Sequence, residues 1–287
     1  MVRVSEKTTY VIALDPKGEG GAYRIKNQEG EVNRNHILER GTRHIVQADL
    51  VDVLHGTLEP NGDLATLVVT DFKFMPGADG RRFKLAQITY VFSGDQSQPG
   101  LIGPDVFNIA PKGHFSLGRT SREVEVGHTV NLTIQAPAPV APQVGYAMDL
   151  KRKYTQADQT TLEGTIQYQG REMGGKNVAK WILGENSAAR SGIPTNIRTA
   201  VLLKRREEED SDIFEATVEI TVESDWKSTL VDATSKLLGR IPKDDPIHFD
   251  PTISTKGAAD KYNGENLVTV NLEDIMQVTT TKWIDEK

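Results

Sequence analysis

Apolar and polar residues alternate with period two along most of this chain, the spacing that puts successive side chains on opposite faces of a β-strand. Val124, Val126, Val130, Leu132 and Ile134 keep that spacing, and so do Phe214, Ala216, Val218, Ile220 and Val222. Further β-rich runs cover Thr9–Leu14, Ala22–Lys26, His44–Leu54, Ala65–Phe74, Phe83–Phe92, Thr160–Tyr168, Arg198–Arg205, Leu267–Leu272 and Ile275–Trp283. Helical spacing is rare. Val178–Arg190 is one candidate helix. Ser228–Leu238 is another, with Leu230, Val231, Thr234, Leu237 and Leu238 on one face and Gly239 as its stop.

Turn chemistry punctuates these runs. Pro60-Asn61-Gly62 joins two strand patterns, because Pro presets φ and Gly accepts a positive one. Asp15-Pro16 through Gly20-Gly21 does the same near the start. Ala136-Pro137-Ala138-Pro139-Val140-Ala141-Pro142 is the most Pro-dense stretch and predicts an extended spacer. It divides the chain into expected domains of residues 1–137 and 146–287, with a linker at about 138–145. Strand, turn and strand recur in residues 44–74 and 197–222, though shared residues are too few to establish duplication. The expected fold class is all-β: two tandem antiparallel β-sandwich or β-barrel (lipocalin-like) domains with one or two short helices.

Composition narrows the chemistry. Hydrophobic residues make up 37% and charged residues 26% of 287, ordinary for a globular chain. A net charge of −6 argues against binding nucleic acid through bulk positive charge. The absence of cysteine removes disulfides, thiol nucleophiles and thiolate metal sites. No apolar run is long enough for a transmembrane helix. Met1–Lys7 lacks a signal-peptide h-region, so the expected location is cytoplasmic, with no membrane span.

Motifs for catalysis are sparse. Gly18-Glu19-Gly20-Gly21 continues into a strand pattern rather than the helix that a phosphate loop requires. His36, His44, His55, His114, His128 and His248 show no local metal spacing, and no metal or other cofactor is expected. Asp210 and Asp212 lack the rest of a calcium loop, and no Gly-x-Ser-x-Gly elbow occurs. The densest acid–histidine cluster is Asp244-Asp245-Pro246-Ile247-His248-Phe249-Asp250-Pro251. Carboxylates beside an imidazole can support a general base, which makes His248, Asp245 and Asp250 the catalytic candidates. The competing reading is a proline-bounded loop with solvated acids.

Two segments carry a resemblance. Asn177–Asn186 followed by Gly192–Arg205, and Leu14–Ile25, resemble parts of uncharacterised two-domain β-rich proteins of filamentous ascomycete fungi, a group that implies a fungal source and no activity. Two functions follow for the chain as a whole. The first is a non-catalytic protein that binds a partner or small molecule, or self-assembles as a homo-oligomer, through exposed strand edges. The alternative is a pocket-type isomerase or cyclase acting on an apolar small molecule, with Tyr146, Tyr154, Tyr168 and Trp181 as candidate ligand-binding residues. No nucleic-acid partner is expected.

Overall fold

The alternating segments become antiparallel strands in a computed structural model. It describes residues 10–12, 25–40, 45–77, 81–95, 101–134, 144–206, 212–225, 244–253 and 261–279, with the backbone alone for 10–12 and 118–158. The strands are β1 (Tyr10–Ile12), β2 (His36–Arg40), β3 (Ile45–Thr57), β4 (Leu64–Met75), β5 (Phe83–Gly94), β6 (Asp105–Ala110), β7 (Gly113–Ile134) and β8 (Val144–Gln167). They continue as β9 (Val178–Gly184), β10 (Asn196–Lys204), β11 (Phe214–Ser224), β12 (Ile247–Phe249) and β13 (Gln277–Thr279). Helical structure includes a 3₁₀ turn at Leu267–Thr269 and the four-residue helix α1 (Leu272–Ile275).

Two open antiparallel sheets result. One runs β1-β11-β5-β9-β8-β7 with β12 also on β11; the other runs β13-β10-β4-β3-β2 with β6 also on β10. Neither closes into a barrel among the described strands. Both sheets draw strands from either side of residues 138–145: β10 pairs with β4 from Asn196↔Lys73 to Lys204↔Ala65, and β5 lies between β9 and β11. The expected boundary therefore does not separate the described strands into two units. The Pro-rich stretch connects instead the paired ends of β7 and β8, where Ile134 faces Val144.

The main core fills the space between the sheets. Val46, Ala48, Val68, Phe72 and Phe74 from one sheet pack with Ile88, Tyr90, Phe92, Trp181 and Phe214 from the other. A second apolar cluster lies on the other face of the six-stranded sheet, where Leu54, Leu67, Val69, Ala200 and Leu202 are covered by Leu267 and Leu272. This explains the unbroken apolar runs in β4 and β10: strands covered on both faces lose alternation. β5, covered mainly on one face, keeps it.

Four expected elements change. Val178–Arg190 starts as strand β9, which alternates in burial and sits between β5 and β8; its Val, Trp and Ile residues suit a pleated surface. The runs Leu267–Leu272 and Ile275–Trp283 give the 3₁₀ turn, α1 and the short β13. Asn271 caps α1 by accepting from Glu273 N at 3.3 Å, a local bond that competes with a strand. Ala22–Lys26 has no strand at Ile25 and Lys26. The Ser228–Leu238 helix, the Gly18–Gly21 turn, Asp210 and the tail from residue 280 lie outside the described residues.

Candidate functional site

Asp244 and Asp245 act as a clasp. Asp244 accepts from Ile25 N at 2.8 Å and from Arg40 Nη2 at 2.6 Å. Asp245 accepts from Asn27 N at 3.1 Å, and its carbonyl accepts from Arg34 Nη2 at 2.9 Å. Asp250 turns its carboxylate to its own loop, accepting from Thr252 N at 2.8 Å and Thr252 Oγ1 at 2.6 Å. His248 meets neither acid. Its Nε2 lies 3.1 Å from Oε1 of buried Glu215, directly across the β11–β12 pairing. The three catalytic candidates thus make separate structural contacts.

The aromatic candidates also part company. Trp181 is fully buried; its Nε1 donates to the Pro111 carbonyl at 2.9 Å and its ring meets Phe72 at 6.5 Å between centroids. Tyr168 is 62% exposed just beyond β8, under the Lys176 ammonium at 5.9 Å. It borders a shallow hollow of about 640 Å³ with Phe107, Lys112 and Lys204, and Trp181 is not part of that hollow. Tyr146 and Tyr154 stand on β8 at register positions opposite Leu132 and Val124.

Those last two positions belong to the most unusual element of the molecule. β7 has 22 residues and β8 has 24, far beyond the usual ~3–10. The start of β7 and the end of β8 belong to the sheet, where β9 pairs with β8 over Thr161–Gln167. Beyond an irregularity between Leu117 and Thr120, residues 120–134 and 144–158 pair with each other and with no other described strand. Arms of roughly 15 residues at about 3.3 Å per residue make a ribbon roughly 50 Å long.

Its root is braced. Thr161 pairs with Gly184, and the loop that follows is tied down by Glu185, which accepts from Arg82 Nε at 2.7 Å and from Gly192 N at 3.3 Å. Asp225 adds a second carboxylate on the same guanidinium and accepts from Arg82 N at 3.1 Å. Arg82 thus joins the starts of β5, the β9 loop and the end of β11 where the ribbon departs.

Register sorts the ribbon's residues by face. One face carries Ile134/Val144, Leu132/Tyr146, Val130/Met148, His128/Leu150, Val126/Arg152 and Val124/Tyr154 as cross-strand pairs. The other carries Thr133/Gly145, Asn131/Ala147, Thr129/Asp149, Gly127/Lys151, Glu125/Lys153 and Glu123/Thr155. The first set is predominantly apolar and the second small, polar or charged. The alternation of β7 was visible in the sequence; what it lacked was a partner strand, and β8 supplies one in matching phase. The connecting residues 135–143 carry no charge.

Among the described residues no helix is long and apolar enough to cross a membrane, which leaves strands as a separate question. No family model matches the chain. No curated protein matches it. Among solved structures it is similar to the Clostridium perfringens NetB toxin in its membrane-inserted form, at 8% identity and TM-score 0.23, covering 74% of this chain and 87% of that one. It is also similar to a structure described as a pore forming protein, at 8% identity and TM-score 0.27, covering 87% and 93%. Likenesses at these TM-scores are too weak to bear on fold or activity.

Proposed function

We propose that the protein is a non-catalytic, self-assembling pore former, whose β7–β8 ribbons from several copies join edge to edge into a β-barrel across a lipid bilayer. The observation that carries this reading is the in-phase pairing of an apolar face along a ribbon with no other strand beside it. An isolated two-stranded ribbon is marginal in water, and each outer edge presents backbone donors and acceptors that seek partners. Lipid tolerates such strands only in a closed barrel, where every edge is paired.

The dimensions agree. Val124–Ile134 and Val144–Tyr154 supply roughly 11 residues each, and a tilted membrane strand needs ~9–11. Tyr154 stands at one end of the apolar band and Tyr146 one pair inside the other, next to Ile134/Val144. Eight residues at ~3.4 Å, tilted ~40°, separate them by about 20 Å, near the height of the lipid-facing band between aromatic girdles. Arg152 stands one pair inside Tyr154, where a long basic side chain can reach headgroups. The uncharged 135–143 connection is the segment that crosses first, and an uncharged turn avoids the large cost of desolvating ions.

The native chain has no cysteine, which makes single-cysteine labelling direct. An environment-sensitive fluorophore placed singly at positions 124–134 should alternate on adding liposomes: lipid-like at even positions and water-like at odd ones. Dye release from the same liposomes should accompany the change. Uniform water-like emission without release would overturn the proposal. The isomerase reading gains nothing from the placement of its candidates, since Trp181 is core and Tyr168 is at the surface.

A further inference from the structure

If the ribbon lines a pore, its polar face determines what passes; this inference rests on the pore reading above. We infer that the channel selects cations, and that Glu123 sets the preference. Five charged positions lie on the water-facing side: Glu123, Glu125, Asp149, Lys151 and Lys153. Their arrangement decides more than their sum. Glu125 stands directly opposite Lys153, so these charges offset at one level of the barrel. Asp149 and Lys151 are successive positions of the same face of β8, about 7 Å apart along the strand. That separation lies within a Debye length of about 10 Å at 0.1 M salt, so an ion in the lumen meets them as a near-neutral pair.

Glu123 has no such offset. Its cross-strand partner is Thr155, and the nearest base on that face, Lys153, already faces Glu125. One negative charge per copy therefore remains, at the end of the channel next to the body. Assembly repeats it as a ring, and a ring of carboxylates in a low-dielectric wall concentrates cations at the mouth. Towards the far end, Asn131, Thr133, Gly145 and Ala147 are uncharged and add no opposing barrier. Arg122 lies on the opposite face, outside the lumen wall.

The test is the reversal potential of the full-length protein in a planar bilayer under a KCl gradient. The wild type should be displaced towards the potassium equilibrium potential. Glu123→Gln should move it towards zero, and Glu123→Lys should reverse its sign. Lys153→Gln, which removes a positive charge, should increase the cation preference several-fold in permeability ratio. The double exchange Glu125→Lys with Lys153→Glu should leave it unchanged. Lys153→Gln also keeps the test open should the Glu123 variants fail to insert. Channels that are anion-selective, or indifferent to both Glu123→Lys and Lys153→Gln, overturn this inference and leave the pore reading standing. Complete absence of wild-type conductance overturns both.

Discussion

His55 illustrates how burial alone changes a residue's chemistry. Its Nδ1 is 2.9 Å from Thr66 Oγ1, its Nε2 is buried without a hydrogen-bond partner, and its ring meets Phe214 edge-on at 6.5 Å. Burial, reinforced by nearby Arg205 and opposed by Asp250, pushes its pKa down to about 4. The unfolded chain binds this proton near pH 6.5 and the folded one does not. His55 therefore contributes stability above pH 6.5 that is lost as the pH falls to about 4, at most about 3 kcal/mol. His55→Gln should flatten that part of the pH–stability curve, measured by urea unfolding at pH 7, 5.5 and 4. An unchanged slope would mean the imidazole does not titrate with folding. His248, which drew attention in the sequence, is partly exposed and lies opposite the Glu215 carboxylate.

At the level of elements, one tight constraint lies where the β8–β9 ladder meets residue 111. Gly164 faces Trp181 across the β8–β9 ladder, and a methyl group at Gly164 would overlap the Pro111 carbonyl that receives the indole N–H. Gly164→Ala should therefore cost roughly 1–3 kcal/mol through forced backbone shifts, read as a lower urea midpoint. Asn177 is comparable. It is buried, donates to the Phe92 and Gln169 carbonyls at 3.0 Å each, and accepts from Gln169 N at 3.0 Å. Asn177→Leu should cost about 1–3 kcal/mol by orphaning those groups, checked in the same assay. Period-two spacing made most strands legible, including β5, β11 and the apolar phase of β7. It failed where neighbours override local pattern. Val178–Gly184 looked helical because Ala179, Leu183 and a following polar stretch mimic helix spacing, yet two flanking strands claim it. The long ribbon was invisible for a different reason: prolines at 137, 139 and 142 signal a break in any local reading. Only the pairing of Ile134 with Val144 shows that the chain turns back there.

For the whole molecule, the interleaved sheets and the protruding ribbon are distinct in kind. Residues 120–134 and 144–158 pair with each other and with no other described strand, so the pairing of the body's sheets does not run through them. Replacing residues 118–159 by Asn-Gly, a turn suited to joining Leu117 to Thr160, should leave a cooperatively unfolding body and abolish dye release. Loss of the body's unfolding transition would show that the ribbon is part of its support. A chain ending at residue 137, in contrast, should show no cooperative unfolding at all, because β4 and β5 would lack β10, β9 and β11. The same interleaving has a cost during synthesis. Lys73 leaves the ribosome well before Asn196, its partner, and at ~5–20 residues per second the wait is roughly 6–25 s. Through that interval β3, β4 and β5 carry a growing apolar surface and bare edges, while the ribbon is itself being made. The nascent chain is therefore most exposed to misassembly just before β9 and β10 are made, and holding it apart until then is a task for chaperones rather than for the fold.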